Sequence, residues 1–368
     1  MAVKAASLVF IAANCLFISA AQADVVIGVA GPLTGQSQNF GQSMLNGVKA
    51  AVDKINGQGG LKHEQVSIIS VDDQCDTAKA KEAAQKLIAA QVDVVIGHFC
   101  SATAMATAPI YAQADVPMIA PTANAPGLTE AGMNNVVRIT TRIDAEGAFA
   151  AKRILAKRPN AKLALVDDGT TEMKAITTSF LAAYGKAPNV MAAVAPEQKD
   201  YAEVLGKMKA AGIDTLYVAT QPADAGRLTL QAAKLGLDLK RYGPDALLAD
   251  PFWTSAGVNG ENTLVSFPVD PETSNEAKQL SADMKTLNQA TDGPFFPAYA
   301  AVQLFAAAAE MAGAHGHSGL ASVLKSGDSF DTVLGPMRFD AKGDGLDLRF
   351  NWYSWNNGVY QTIAPENP

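Results

Sequence analysis

Small and hydroxyl-bearing residues follow two predicted strands in the first third of the chain, where a bound molecule could contact them. Residues 92–97 form a short apolar run rich in β-branched side chains, typical of a strand covered on both faces, and residues 117–120 form its partner. Ser101 stands at the predicted N-cap of the helix between them. The free N–H groups and the dipole at such a helix start favour a carboxylate. The alternative is that Ser101 only caps the helix, so the pattern predicts a binding cleft with Ser101 as one candidate contact.

Side chains arranged for catalysis or metal binding are missing from the sequence. Neither a Gly-x-Ser-x-Gly elbow nor a His-Glu-x-x-His helix occurs. His98 has no obvious nucleophile partner other than Cys100, which we expect to be oxidised. The aspartates of 72–76 lack EF-hand spacing and are expected to cap a helix, while His315 and His317 lie in a Gly-rich turn without Cys or carboxylate neighbours. We therefore expect a protein that is not an enzyme and has neither a metal nor a cofactor.

Nucleotides and nucleic acids are also poor candidates for the ligand. The first predicted loop is rich in glycine, but Gly28, Gly31 and Gly35 fit neither the dinucleotide fingerprint nor a P-loop. The formal net charge is -7, and the chain has no basic blocks. An acidic chain of this kind is repelled by nucleic acid and by anionic membrane surfaces.

The N-terminus has the pattern of a secretory signal peptide over residues 1–23. Lys4 precedes an apolar run at 5–20, and residues 21–23 have the small-x-small form of a cleavage site. We expect cleavage after Ala23 and a mature chain that is soluble outside the inner membrane, in the periplasm. A membrane anchor is the alternative, but the apolar run is short for a span, and no later segment is expected to be long and apolar enough to form one.

Two cysteines remain in the predicted mature chain, Cys75 and Cys100. In an oxidising compartment they are expected to form one disulfide, and two buried free thiols are the alternative. Both cysteines follow strands that we place next to each other in one sheet. Their Cα atoms should then lie within the roughly 4.4 to 6.8 Å that a bridge requires.

Strands and helices alternate along most of the chain, which predicts an α/β fold with parallel sheets covered on both faces. The second half repeats the outline of the first, with predicted strands at 163–166 and 215–219 separated by amphipathic helices. Two doubly wound lobes are the expected result. The cleft should lie between them, at the carboxyl ends of the strands. Residues 332–360 are predicted to form terminal strands that cross back over a hinge.

Five segments in a fixed order resemble a known family: GPLTGQSQNFGQSMLNGVKAAVDKINGQGG (31–60), DDQCD (72–76), VIGHFCSA (95–102), PMIAPTANAP (117–126) and VLGPMRFDAKGD (333–344). They are similar to the periplasmic leucine/isoleucine/valine-binding proteins of ABC transporters, and the resemblance covers essentially the whole mature chain. It implies a type I periplasmic binding protein fold, with two lobes joined by three crossovers around a ligand cleft. We place 24–141 and 266–350 in lobe 1, and 142–265 and 351–368 in lobe 2.

The resemblance also implies a set of contacts for a free amino acid. The ligand carboxylate is expected at Ser101 and at the backbone of Phe99 and Cys100. Thr122 and Asn124 are expected to supply a carbonyl and a polar side chain from the second loop, with Asn124 in the place of a family Thr.

The ligand ammonium is expected to pair with Asp245, which is one methylene shorter than the family Glu. Where the family has aromatic rings around the ligand side chain, this chain places Phe40, Glu172 and Gln221. An acid and an amide line a pocket for leucine poorly. Either the ligand is more polar or cationic, or Glu172 and Gln221 point to solvent.

Together these inferences predict a monomeric periplasmic solute receptor that delivers an amino acid, or a close analogue, to an inner-membrane ABC permease. A ligand-binding sensor or chemoreceptor component is the first alternative. A secreted enzyme or an adhesion module is a more distant one.

Overall fold

The computed structural model describes residues 25–312 and 317–363. The predicted signal peptide with its cleavage site, and His315, lie outside these residues. The strands are β1 (Val25–Gly31), β2 (Val66–Asp72), β3 (Val94–Gly97), β4 (Met118–Ala120), β5 (Val136–Arg138), β6 (Leu163–Asp167), β7 (Val190–Ala193), β8 (Thr215–Ala219), β9 (Lys240–Gly243), β10 (Leu264–Pro268), β11 (Phe330–Thr332), β12 (Gly335–Met337), β13 (Phe350–Asn356) and β14 (Val359–Thr362). The helices are α1 (Gln38–Gly57), α2 (Thr77–Ala89), α3 (Ser101–Gln113), α4 (Gly127–Glu130), α5 (Ile143–Lys157), α6 (Thr171–Tyr184), α7 (Ala202–Ala211), α8 (Pro222–Lys234), α9 (Asp250–Ala256), α10 (Asn275–Thr286), α11 (Phe295–Ala312) and α12 (His317–Leu324).

Lobe 1 is built on a five-stranded sheet in the order β2-β1-β3-β4-β5, and all its strand pairs are parallel. Ile27 and Val29 of β1 pack with α1 and α11 on one face of this sheet. Val95 of β3 packs with α2 and α3 on the other face. Both faces are therefore buried, which is why the inner strands β1, β3 and β4 are apolar along their whole length.

Helix α11 is long and apolar enough to span a membrane by length and composition, so the expectation that no later segment would be so was wrong. Most of this helix is buried in lobe 1. Its aromatic side chains Phe295, Tyr299 and Phe305 belong to the core that α1 and β1 share. The helix is apolar because it lies inside a folded lobe, where nearly every side of it meets other side chains.

Lobe 2 is built on a seven-stranded sheet in the order β14-β13-β10-β9-β8-β6-β7. The strands β6 to β10 pair in parallel, and β13 runs antiparallel to β10. The terminal strands β13 and β14 thus return to the sheet of lobe 2. Helices α5 and α6 cover one face with an aromatic core in which the rings of Phe180 and Tyr217 lie 4.4 Å apart. The second lobe thus has a core of its own, and the two-lobed α/β architecture is confirmed.

The chain crosses between the lobes after β5, after β10 and before β13. The predicted lobe boundaries at 265/266 and 350/351 differ from these positions. Ser266 to Pro268 still belong to β10, where they pair with β13, and β13 itself begins at Phe350. The reason is that β10 and β13 stay paired up to the point where both strands leave lobe 2. No pattern in the sequence marks that point.

A buried ion-pair network joins the first crossing to the third. The guanidinium of Arg138 donates to Asp344 through Nε at 2.9 Å, to the Thr129 hydroxyl at 2.8 Å and to the Ala125 carbonyl at 2.6 Å. Arg142 donates to the other oxygen of Asp344 at 3.2 Å. Burial lowers the pKa of Arg138, and the charge of Asp344 opposes this change. The network fixes the crossing segments and the loop that carries Ala125 in one arrangement.

Candidate functional site

The loops that follow β2 and β3 are joined by a disulfide between Cys75 and Cys100, with the Cα atoms 5.5 Å apart. The predicted bridge is therefore confirmed. The strands themselves are not neighbours as expected, because β1 lies between them in the sheet. The bridge passes over the carboxyl end of β1 and holds both loops beside it.

The double variant Cys75→Ala, Cys100→Ala should lose on the order of 3 kcal/mol of stability, because the bridge closes a loop of 25 residues in the unfolded chain. Urea unfolding of the parent and the variant measures the difference. Equal unfolding midpoints would contradict this expectation and would show that the bridge is absent from the protein as purified.

A buried polar chain lies beneath the disulfide. His98 Nδ1 lies 2.6 Å from a carboxylate oxygen of Asp73, and its Nε2 lies 3.0 Å from the Tyr111 hydroxyl. The other oxygen of Asp73 accepts from the Cys75 N–H at 2.9 Å. These hydrogen bonds were not predicted from the sequence. The spacing gave a hint of them, because Asp73 precedes Cys75 by the same two positions that separate His98 from Cys100. The loop that leads to Ser101 is thus held by a covalent bond and by a buried hydrogen-bond pair.

Ser101 is the first residue of α3, and Cys100 occupies the N-cap position where Ser101 was expected. The Ser101 hydroxyl accepts from the N–H groups of Asn124 and Ala125 at 3.1 and 3.2 Å, and it donates to the Asn124 side chain at 3.2 Å. Its oxygen therefore binds the second loop and does not cap its own helix. The Thr122 hydroxyl similarly donates to the carbonyl of Phe99 at 2.8 Å. The predicted contacts of the first and second loops are brought together.

A cavity of about 610 Å³ lies between the lobes, within the size range of small-molecule sites. Phe40, Phe99 and Thr122 line it from lobe 1, and Asp245 lines it from lobe 2. The rings of Phe40 and Phe99 stack with their centroids 5.6 Å apart. The crossings contribute further walls, including Ile139, Thr141, Phe267, Val269 and Leu348. Four of the predicted site residues therefore share one cavity. Its walls are largely apolar, and its charged lining residues are Asp245, Asp270, Asp347 and Arg349.

Glu172 and Gln221 do not line this cavity. Glu172 lies in the first turn of α6, and Gln221 immediately precedes α8. Both are solvent-exposed residues. Asp168 connects their loops, because its carboxylate accepts from the N–H groups of Gln221 and Thr170, each at 3.0 Å. The two side chains stand on the same end of the lobe 2 sheet as Asp245, at the carboxyl ends of β6 and β8.

Asp245 belongs to a group of carboxylates that sequence reasoning found only in part. Burial, together with the charge of Glu172, raises the pKa of Asp245 to about 6. The carboxylate of Glu146, in α5, accepts from the Asp245 N–H at 2.8 Å and from the Ser266 hydroxyl at 2.7 Å. Glu146 is only 1% exposed, and burial with the charge of Asp245 raises its pKa well above the usual range. The lobe 2 wall is therefore acidic, with the carboxyl groups of Asp245 and Glu146 next to each other.

The comparisons with known proteins agree with this geometry. A family model described as "Periplasmic binding protein" matches residues 24–358. The chain belongs to the periplasmic binding protein family. Members of this family are solute-binding proteins, and the fold and the resemblance given by the sequence motifs are both confirmed.

Relatives of this periplasmic binding protein carry names from branched-chain amino acid transport. A Leu/Ile/Val-binding protein homolog of Brucella abortus is 31% identical over 339 residues, which is 91% of each chain. The branched-chain amino acid transporter substrate binding protein LivJ of Streptococcus pneumoniae, solved in complex with isoleucine, is 25% identical with a TM-score of 0.73 over 93% of this chain and 100% of that one. An ABC transporter substrate-binding protein of Desulfitobacterium hafniense, solved with leucine, is 23% identical with a TM-score of 0.77 over the same shares.

Proposed function

We propose that this periplasmic binding protein closes its two lobes on a free amino acid, or a close amine-bearing analogue, and delivers it to an inner-membrane ABC permease. The observation that carries the proposal is the carboxylate of Asp245 at the interlobe cavity, across from the loops that hold Phe99 and Thr122. An acid on one wall and a helix start with free N–H groups near the other suit the two charges of a zwitterion.

We propose that the protein binds its ligand in the periplasm, and the signal-peptide pattern of residues 1–23 supports this location. The disulfide fits an oxidising compartment. Names of relatives from amino acid transport support the same role. We propose a monomer without enzymatic activity, because binding and release are sufficient for delivery.

A binding screen tests the proposed function. The mature chain, stripped of ligand by unfolding and refolding, is screened by thermal shift against the common amino acids and small organic acids. A ligand at 100 times its dissociation constant should stabilise the protein by about 2.7 kcal/mol. Saturable one-to-one binding of an amino acid without turnover is the expected result. Chemical conversion of the bound compound, or binding only of compounds without an amine, would contradict the proposal.

The affinity for an amine ligand should depend on pH through Asp245. Below its pKa of about 6 the carboxyl is neutral, so the affinity should fall roughly tenfold for each unit by which the pH decreases.

The stability of the ligand-free protein should change with pH in the opposite sense. The folded carboxyl holds its proton more tightly than the unfolded one, whose pKa is 3.8, so the free energy of unfolding falls as pH rises between these values.

Calorimetric titrations from pH 5 to 8 measure the affinity part of this prediction. The titratable groups whose charges couple with Asp245 are Glu146 from α5, Glu172 from the first turn of α6 and the Tyr217 hydroxyl from β8. The matched control is Asp245→Asn, which should lose most of the pH dependence near pH 6. A pH profile equally steep in the variant would show that another group controls binding.

A further inference from the structure

Arg349 is the only cation among the described residues that line the interlobe cavity. It stands at the end of the third crossing, immediately before β13. Its carbonyl accepts a hydrogen bond from the Val269 N–H at 3.0 Å. This bond joins the second crossing to the third, so the backbone that carries the guanidinium is held where these two segments meet.

The guanidinium of Arg349 has no protein partner within the described residues, where it forms neither a hydrogen bond nor an ion pair. Asp347 also lines the cavity, but both of its oxygens accept from the Arg338 side chain, at 3.0 and 2.7 Å. Asp270 accepts from the Glu272 N–H at 2.9 Å and caps a short helical turn. The neighbouring acids therefore have other contacts, and Arg349 is available to an anion in the cavity.

The predicted carboxylate contact, Ser101, brings less to the cavity than Arg349 does. Ser101 is not one of the lining residues, and its hydroxyl is already bonded to the loop that carries Asn124 and Ala125. The start of α3 acts from behind Phe99, with about half of a unit charge. A guanidinium carries a full charge and binds a carboxylate through two parallel hydrogen bonds.

Lobe closure on a ligand would strengthen a charge pair at Arg349. The residue is exposed, so water solvates it in the ligand-free cavity. Phe267 and Val269, on the segment paired with it, also line the cavity and are 39% and 38% exposed. A ligand that covers these apolar side chains displaces water from the guanidinium as well. An unpaired charge then becomes costly and a paired one stronger, which favours an anionic group at this position.

We propose that Arg349 binds the carboxylate of the ligand while Asp245 holds its ammonium. This inference rests on the proposed amino acid binding and names the residue that selects the free acid. The two side chains line the cavity from different elements, Asp245 from the turn after β9 and Arg349 from the third crossing. An amino acid whose carboxyl group is amidated lacks the charge that Arg349 recognises.

Calorimetry with amino acids and their amides tests the inference. Leucine, phenylalanine and lysine are each compared with the carboxamide that keeps the ammonium and the side chain but loses the negative charge. Among those that bind, the parent should prefer the acid by about tenfold or more. Arg349→Gln should reduce this preference to about threefold or less, with an effect of no more than about twofold on the amide. Arg349→Lys should recover part of the preference, because it restores the charge.

Two further variants are the controls. Arg158→Gln removes a guanidinium that pairs with Asp214 and bonds to Thr215 at the start of β8, the end of the sheet opposite the cavity. It should leave both affinities close to those of the parent. Ser101→Ala should weaken the acid and the amide by similar factors, since Ser101 acts by holding the second loop. A loss of acid preference in Ser101→Ala but not in Arg349→Gln would overturn the inference.

The outcomes separate this inference from the proposed function. If the acids and amides bind the parent equally well, or if Arg349→Gln leaves the preference unchanged, the role of Arg349 is overturned while amino acid binding stands. If 4-methylpentanoate, which is leucine without its amine, binds through Arg349 and no amino acid binds, the proposed function fails while the carboxylate site stands. Failure of every acid and amide to bind overturns both.

Discussion

Asp245→Asn should weaken ligand binding by about 2 to 5 kcal/mol, roughly 30-fold to several thousandfold. The variant leaves the ligand ammonium facing a neutral amide in the cavity, where Asp245 is the acid that we expect to pair with it. The fold should be retained, because the Asp245 N–H still donates to Glu146. Calorimetry with the ligand found in the screen gives the change, and circular dichroism checks the fold.

The control for this variant is Asp250→Asn, which removes an exposed acid of the same lobe at the start of α9. It should bind within about twofold of the parent, since a solvated charge outside the cavity interacts weakly with the ligand. Ser101→Ala should also weaken binding, but less than Asp245→Asn. Unchanged binding by Asp245→Asn would mean that the ligand has no ammonium group, or that its ammonium binds elsewhere.

Arg138→Met should lower the free energy of unfolding by about 3 to 5 kcal/mol, the cost of removing one partner of a buried ion pair. The variant leaves Asp344 with only part of its pairing and deprives the Ala125 carbonyl and the Thr129 hydroxyl of a donor. Urea unfolding followed by circular dichroism measures the loss. Because the protein has two lobes, the midpoint of each resolved transition should be compared rather than a single fitted value.

Lys207→Met is the matched control for Arg138→Met, because it removes a cation from an exposed ion pair on α7. Its unfolding midpoint should stay close to that of the parent. If Arg138→Met is equally mild, the network at the crossings does not hold the segments together in solution. The double variant Arg138→Met, Asp344→Asn should then also unfold close to the midpoint of the parent. If the pair is coupled, the double variant should lose less than the sum of the single changes.

Local patterns were sufficient for the fold. The apolar run at β3 and the amphipathic spacing of α1 each follow from one short segment, and the alternation of such segments defines the α/β class. The disulfide could be predicted from the number of remaining cysteines and the expected compartment. Phe40 and Asp245 were located through the family motifs, and both line the interlobe cavity.

Residues that act through distant contacts could not be predicted in the same way. Glu146 looks in the sequence like an ordinary polar position of α5, and its burial arises only because Asp245 and Ser266 from other elements close over it. Tyr217 similarly looks like one more apolar strand residue. The polar surroundings of both depend on which strands become neighbours, and single-sequence periodicity does not contain that information.

The disulfide and the Asp73–His98 pair have a consequence for the entropy of ligand binding. They order the loop that carries Phe99 and Ser101 when the protein folds, before any ligand arrives. Freezing a loop during binding reduces affinity, because the lost conformational freedom is subtracted from the contact energy. The lobe 1 wall is therefore preorganised, and the entropy lost on binding falls mainly on lobe closure and on the exposed side chains of lobe 2.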